Sequence, residues 1–306
     1  MSQFSFNELF DELQARERLV YLVGIGGGIA LLLLAGFLWW HTTSVNPQRV
    51  FWGAIQNNFA TQGVTLESTQ QSSGSQTDQH IQLQFGTDPK GLSLTTLTQG
   101  KAVVKTENLS TPAADYTRYE HIETDKKGKN GKPLDTSHIL GVWAKSSTAA
   151  SPDKQVPQLF SQVLLGLSVP FGNLSASQRQ ALMQEIHDDN LYNTSFQTVK
   201  KQQHNGRLQY VYSVNLQPIL YLRFMKDYAK NMGLHELDKV DPNSYSGAKP
   251  LTLQWTIDAH SRQLVGVDYG NGHKETYSGY GLSVQTAVPA HPISSAELQK
   301  RLSQVQ

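Results

Sequence analysis

The chain has 306 residues, with 26 Lys+Arg against 25 Asp+Glu, ten His and no Cys. A net charge of +1 removes a nucleic-acid binder held by bulk charge, and the missing thiols remove disulfide scaffolds, iron–sulfur clusters and zinc ribbons. At 38 % apolar residues, about 46 % once glycine is added, the composition fits neither a polytopic membrane protein nor a wholly disordered chain.

Residues 1–18 form an acidic tail in which Phe6, Leu9, Phe10 and Leu13 recur on one helical face after the capping-box spacing Ser5-Phe6-Asn7-Glu8. From Leu19 to Trp40, 22 consecutive residues are apolar or Gly, which makes about 33 Å of helix, enough to cross a hydrocarbon core. Tyr21 near one end and Trp39 with Trp40 at the other suit the two headgroup levels. The stretch exceeds a signal-peptide core of about 7–15 residues, and no small-residue cleavage site follows, so it reads as an uncleaved transmembrane anchor. Arg16 and Arg18 place the N-terminus in the cytoplasm and residues 41–306 outside. Gly24 and Gly28 form G-x-x-x-G, which offers a homodimer face within the membrane, although small residues are common in such helices in any case.

Beyond the span, Asn46-Pro47 reads as an N-cap and first helical position, followed by Phe51, Ile55 and Phe59 at helical spacing up to Gly63. Short alternating runs near 64–70, 79–86, 92–98, 101–108, 115–123 and 138–145 predict an antiparallel meander. The basic stretch Lys126, Lys127, Lys129, Lys132 reads as a hairpin tip, solvated by default and able to touch anionic lipid. Two helices interrupt at Val156–Leu167 and after the capping box Ser175-Ala176-Ser177-Gln178. A hairpin follows around Asn205-Gly206, and then a helix from Pro218 to Gly233. Its apolar arc is too wide for an ordinary surface helix, so it sits deep in the core or lines something apolar. Strands are expected at 251–258, 263–269, 273–277 and 282–288, and a final helix after Ser294-Ser295-Ala296-Glu297. The total is about eleven strands. The Ser/Ala/Pro-rich segment 146–154 reads as a long loop within one domain.

The hairpin Leu251-Thr252-Leu253-Gln254-Trp255-Thr256-Ile257-Asp258-Ala259-His260-Ser261-Arg262-Gln263-Leu264-Val265-Gly266-Val267, together with the order helix, strands, helices, strands over residues 47–300, resembles the lipoprotein-carrier superfamily. That group includes the periplasmic LolA/LolB carriers and the LppX/LprG lipoproteins. The resemblance implies an α+β fold in which a strongly curved antiparallel sheet carries helices on its concave side around an apolar cavity. Leu220, Phe224, Met225, Tyr228 and Trp255 are the candidate cavity residues. Two departures stand beside it: a helical anchor replaces a lipidated or soluble N-terminus, and the group has no residue-level ligand motif to carry over.

Enzyme motifs fail on inspection. His235-Glu236-Leu237-Asp238-Lys239 lacks the second His of a zincin. His187-Asp188-Asp189 is a helix end before it is a cation site. Ser151-Pro152-Asp153-Lys154 matches S-x-x-K without its companion motifs. No metal and no cofactor is expected. The division is therefore a cytoplasmic tail (1–18), a transmembrane anchor (19–40) and an extracytoplasmic α+β domain (41–306). The function expected is non-catalytic binding of a lipid or lipid-linked ligand at the cell membrane, with membrane lipid as a partner and no nucleic acid. The alternatives are a structural or interaction protein of an envelope assembly and, behind that, an envelope hydrolase whose site assembles only in space.

Overall fold

The structure is a computed structural model that describes Leu33, Gly36 and residues 45–128, 131–146 and 157–305. The chain divides into two units, Met1–Arg49 and Val50–Gln306. The tail 1–18 and, apart from helical Leu33 and Gly36, the anchor 19–40 with Tyr21, Gly24, Gly28, Trp39 and Trp40 lie outside the described residues, and so does Ser151–Lys154 in the second unit. Among the described residues no helix is long and apolar enough to cross a membrane.

Helix α1 (Pro47–Ala60) starts where Asn46 Oδ1 accepts hydrogen bonds from the amides of Gln48 and Arg49 at 3.0 and 3.3 Å, the N-cap that Asn-Pro predicts. A meander follows: β1 (Gly63–Ser72), β2 (Ser75–Gln84), β3 (Lys90–Gln99), β4 (Ala102–Ser110), β5 (Asp115–Glu123) and the short β6 (Ala144–Ser146). Helices α2 (Gln158–Leu164) and α3 (Ala176–Asp188) precede β7 (Tyr192–Thr194), β8 (Lys200–His204) and β9 (Arg207–Leu216). Then come α4 (Pro218–Asn231), a 3₁₀ turn (Pro242–Tyr245), β10 (Leu251–Asp258), β11 (Leu264–Asp268), β12 (His273–Ser278), β13 (Ile293–Ser294) and α5 (Ser295–Gln304).

All thirteen strands join one large, curved, mostly antiparallel sheet in the order β13-β6-β5-β4-β3-β2-β1-β12-β11-β10-β9-β7, with β8 pairing β9. Among the described residues the count therefore exceeds the expected total of about eleven. β7 and β13, of three and two residues, are too short to show a period of two. Two expected strands change. Of 138–145, only the end survives, as β6, because the chain turns through Gly141 at φ +71° and pairing there stops at an isolated bridge between Leu140 and Tyr119. The run 282–288 makes no strand. Gly279 and Gly281, both at positive φ, wrap it over the end of β1, where Gly281 N donates to Gly63 O and Val284 N to the Gln84 side chain.

Local signals elsewhere have their expected physical cause. Asn205 and Gly206 both take positive φ, as the two-residue turn joining β8 and β9 requires. Asp258 Oδ1 accepts from His260 N and Ser261 N at 3.0 and 2.8 Å and so holds the β10–β11 turn. The capping box at Ser175 and Gln178 is complete.

The core lies on the sheet face that α1 and α4 cover. Phe51 stacks on Trp255 at 5.3 Å and packs on Tyr212 at 5.1 Å, and Phe59 meets Phe224 at 6.3 Å. The wide apolar arc of α4 is spent there. Phe224, Met225, Tyr228 and Ala229 are buried, and Tyr228 OH donates to Phe171 O. A satellite cluster of Ile139, Ala144 and Leu298 docks α5 beside β6.

Candidate functional site

The strand registers set up the site. One row across the covered face runs Tyr212, Trp255, Val267, Glu275, Ser68, Gln79, Thr95. Its neighbour runs Tyr277, Leu66, Ile81, Ser93, Asn108, Thr117. The first row changes character at the β12–β1 seam and the second between β2 and β3, each passing to hydroxyl and amide side chains. Because alternate residues of a strand share a face, the polar half follows directly from the Ser, Thr and Gln content of β1 to β4.

Helix α2 closes this polar half. Leu159 N donates to Ser110 Oγ at 3.2 Å, and Ser110 Oγ in turn donates to Asp115 Oδ1, which ties the start of α2 to β4 and β5. Gly91 lets the helix come close, since a Cβ at that position would stand 2.7 Å from Leu159 Cδ2. Between helix and sheet lies a cleft of about 270 Å³. Leu159, Gln162, Val163, Gly166 and Leu167 line it from the helix side; Leu66, Ile81, Ser68, Gln70, Gln79, Ser93, Thr95, Asn108, His273 and Glu275 line it from the sheet. A second recess of about 180 Å³ shares Asn108, Leu159 and Gln162 with it and extends along α2 to Ser110, Asp115, Tyr116 and Thr117. Wider grooves run between α1 and α3, about 530 Å³, and beside Phe85, Phe160 and Met232, about 440 Å³. Among these four spaces, the α2 cleft is bordered by the buried carboxyl group of Glu275 and the adjoining recess by Asp115, whose Oδ2 is also buried.

Glu275 is 5 % exposed. Its Oε2 accepts from Tyr269 OH at 2.8 Å and from Tyr277 OH, and its Oε1 lies 3.4 Å from His273 Nε2. Burial pushes its pKa up from the ordinary carboxylate value, and the two tyrosine hydrogen bonds work against that shift. The His273 ring stacks on Tyr269 at 4.3 Å, and Tyr269 OH also accepts from Ser168 N at 3.1 Å. A serine, a histidine and a carboxylate therefore meet, because Ser68 Oγ is 3.3 Å from His273 Nε2. The arrangement is not that of a nucleophile relay. Such a relay places hydroxyl and carboxylate on opposite ring nitrogens, whereas here both approach Nε2. What the cluster does chemically is hold a fixed set of hydrogen-bonding groups at the inner end of the cleft.

The residues singled out from sequence lie elsewhere. Phe224, Met225, Tyr228 and Trp255 are each at most 1 % exposed in the core, Leu220 is half-buried on α4, and none of the five borders the four spaces described. His235 pairs with Asp238 at 3.0 Å on the surface, and the His187 ring packs on Trp52 at 4.2 Å. Among the described residues no group of three or more His, Cys, Asp or Glu could hold a metal ion. The cleft residues escaped sequence reasoning because a Ser or Gln on a strand reads as solvent-facing. The available signal was that β1 beyond Leu66 and β2 before Ile81 are polar on both faces, which an ordinary half-buried strand is not.

No protein-family profile matches the chain, and no curated protein does. Among solved structures it is similar to LprF from Mycobacterium bovis, at 13 % identity and a TM-score of 0.44, over 80 % of this chain and 97 % of that one. It is also similar to the lipoprotein LppX of Mycobacterium tuberculosis, at 13 % identity and a TM-score of 0.35, over 80 % and 98 %.

Proposed function

We propose that the chain is a membrane-anchored, non-catalytic binding protein whose extracytoplasmic part, residues 41–306, takes an amphipathic lipid or lipid-linked ligand into the cleft beneath α2. One observation carries this reading: the cleft is lined both by apolar side chains, Leu159, Val163 and Leu167 from the α2 segment with Leu66 and Ile81 from the sheet, and by hydroxyl and amide side chains of the sheet, the combination that a molecule with an acyl part and a head group needs. The anchor Leu19–Trp40, with Tyr21, Trp39 and Trp40 at the headgroup levels, would keep that cleft beside its lipid source, and Gly24 with Gly28 would pair two copies. Leu220, Phe224, Met225, Tyr228 and Trp255 belong to the proposal as a second, apolar compartment that a long tail would have to open. Native mass spectrometry of the full chain released from detergent, with a photoactivatable acyl probe, tests the reading. Lipid adducts and labelling along Leu159–Leu167, both lost in Val163→Asp, are expected; a lipid-free protein that leaves the probe unbound overturns it.

A further inference from the structure

The lining of the α2 cleft is lopsided in charge. Among the described residues neither the cleft nor its adjoining recess is bordered by a Lys or Arg, while Glu275 and Asp115 supply carboxyl groups. The one ring able to become cationic, His273, has its Nε2 held between Ser68 Oγ at 3.3 Å and Glu275 Oε1 at 3.4 Å, so any charge it gains is met within the protein. The remaining polar groups are hydroxyls and amides, and several already contact one another: Ser93 Oγ lies 3.3 Å from Thr95 Oγ1, Gln79 Nε2 donates to Thr95 Oγ1 at 3.5 Å, and Thr117 Oγ1 donates to Asn108 Oδ1 at 2.7 Å.

These groups both donate and accept, as ligand hydroxyls do. A phosphate or carboxylate entering the same space would shed water, meet no Lys or Arg among the described lining residues and face Glu275, and such a desolvated, unpaired charge is strongly disfavoured. Specificity of this kind is achieved as much by what the site repels as by what it holds. We propose that the α2 cleft selects lipids with an uncharged, hydroxyl-bearing head group and turns away anionic ones, with Glu275 and Gln79 as the specificity-determining residues. The inference rests on the lipid-binding reading above and adds the head-group class.

The test uses the full chain in nanodiscs and two diazirine probes with the same acyl chain, a monoacylglycerol and a lysophosphatidate, with labelled peptides mapped by mass spectrometry. The monoacylglycerol labels Leu159–Leu167 at least tenfold more than the lysophosphatidate does. Gln79→Lys, at a half-buried position, brings a cation to the floor and reverses the preference. Glu275→Gln keeps an oxygen for the two tyrosines and narrows the preference at least threefold. Equal labelling of Leu159–Leu167 by both probes, or a Gln79→Lys protein with the original preference, overturns the head-group assignment and leaves lipid binding standing. Labelling by neither probe overturns lipid binding itself.

Discussion

Gly91 is where α2 rests on the sheet, and replacing it offers a calculable disturbance of the cleft. A Cβ added there would stand 2.7 Å from Leu159 Cδ2, 3.3 Å from its Cβ and 3.4 Å from its Cγ. Rotating the end of the leucine clears the first contact only. The other two lie close to the helix backbone, so Gly91→Ala must push α2 outward. Overpacking of this kind costs about 1–3 kcal/mol, offset in part by the roughly 0.5–1 kcal/mol that Ala gains over Gly in a strand, for a net loss of about 1 kcal/mol. Leu159→Ala alone empties a buried site and costs about 2–5 kcal/mol. In the double variant the added methyl occupies space that the leucine has vacated, so the combined loss is smaller than the sum of the single losses by about 1 kcal/mol. Urea unfolding of the full chain in micelles, followed by tryptophan fluorescence, measures all three. Additivity within about 0.5 kcal/mol would show that the two side chains do not compete for one space and would refute this account of how α2 is seated.

Two further outcomes follow from the packing and electrostatics. Phe51→Ala removes the ring that stacks on Trp255 and touches Tyr212, and should cost about 3–5 kcal/mol, read as a lower Tm; a loss below about 1 kcal/mol would mean that the aromatic half of the sheet does not depend on α1. On α3, burial first and then Asp227 and Asp189 push Glu185 up to about 7. The folded state thus holds this proton more tightly than the unfolded one, and stability falls as pH rises from about 4.5 to about 7. Glu185→Gln should raise Tm at pH 8 and leave it nearly unchanged at pH 4, and an equal change at both would exclude a titration effect.

Much of the fold was legible where a local rule and the tertiary structure agree. Asn46, Ser175 and Ser294 cap helices as their spacing implies, because the orphan amides of a first turn take the nearest side-chain oxygen. Asn205-Gly206 turns the chain because few other pairs accept two positive φ values. Position in the sheet was not legible. Leu282–Val288 alternates like a strand, yet it passes over the end of β1, where the preceding Gly281 N donates to Gly63 O and Val284 N donates to the Gln84 side chain instead of to a neighbouring ladder. The cleft was the least accessible part. Its residues come from β1 to β5, α2 and β12, and they share a face only through pairings between distant segments. The apolar arc of α4 was visible, and its use was not: the same pattern serves a packed core and an oily cavity, and Phe224, Met225 and Tyr228 are fully enclosed by protein.

The seam between β1 and β12 has a consequence for synthesis. Thr65 pairs with Ser278 and Gln70 with His273, so the strand that opens the meander waits for a partner made about 200 residues later. At ribosomal speeds of about 5–20 residues per second, the backbone edge of β1 stays unpaired for roughly ten to forty seconds. Edges of that kind recruit other strands, and β1 meets the interval with Glu67, Ser68, Thr69, Gln70 and Gln71, a polar run that offers a passing chain little to bury. The hydroxyl and amide side chains that furnish the cleft in the finished protein would thus also shield its most exposed edge during birth.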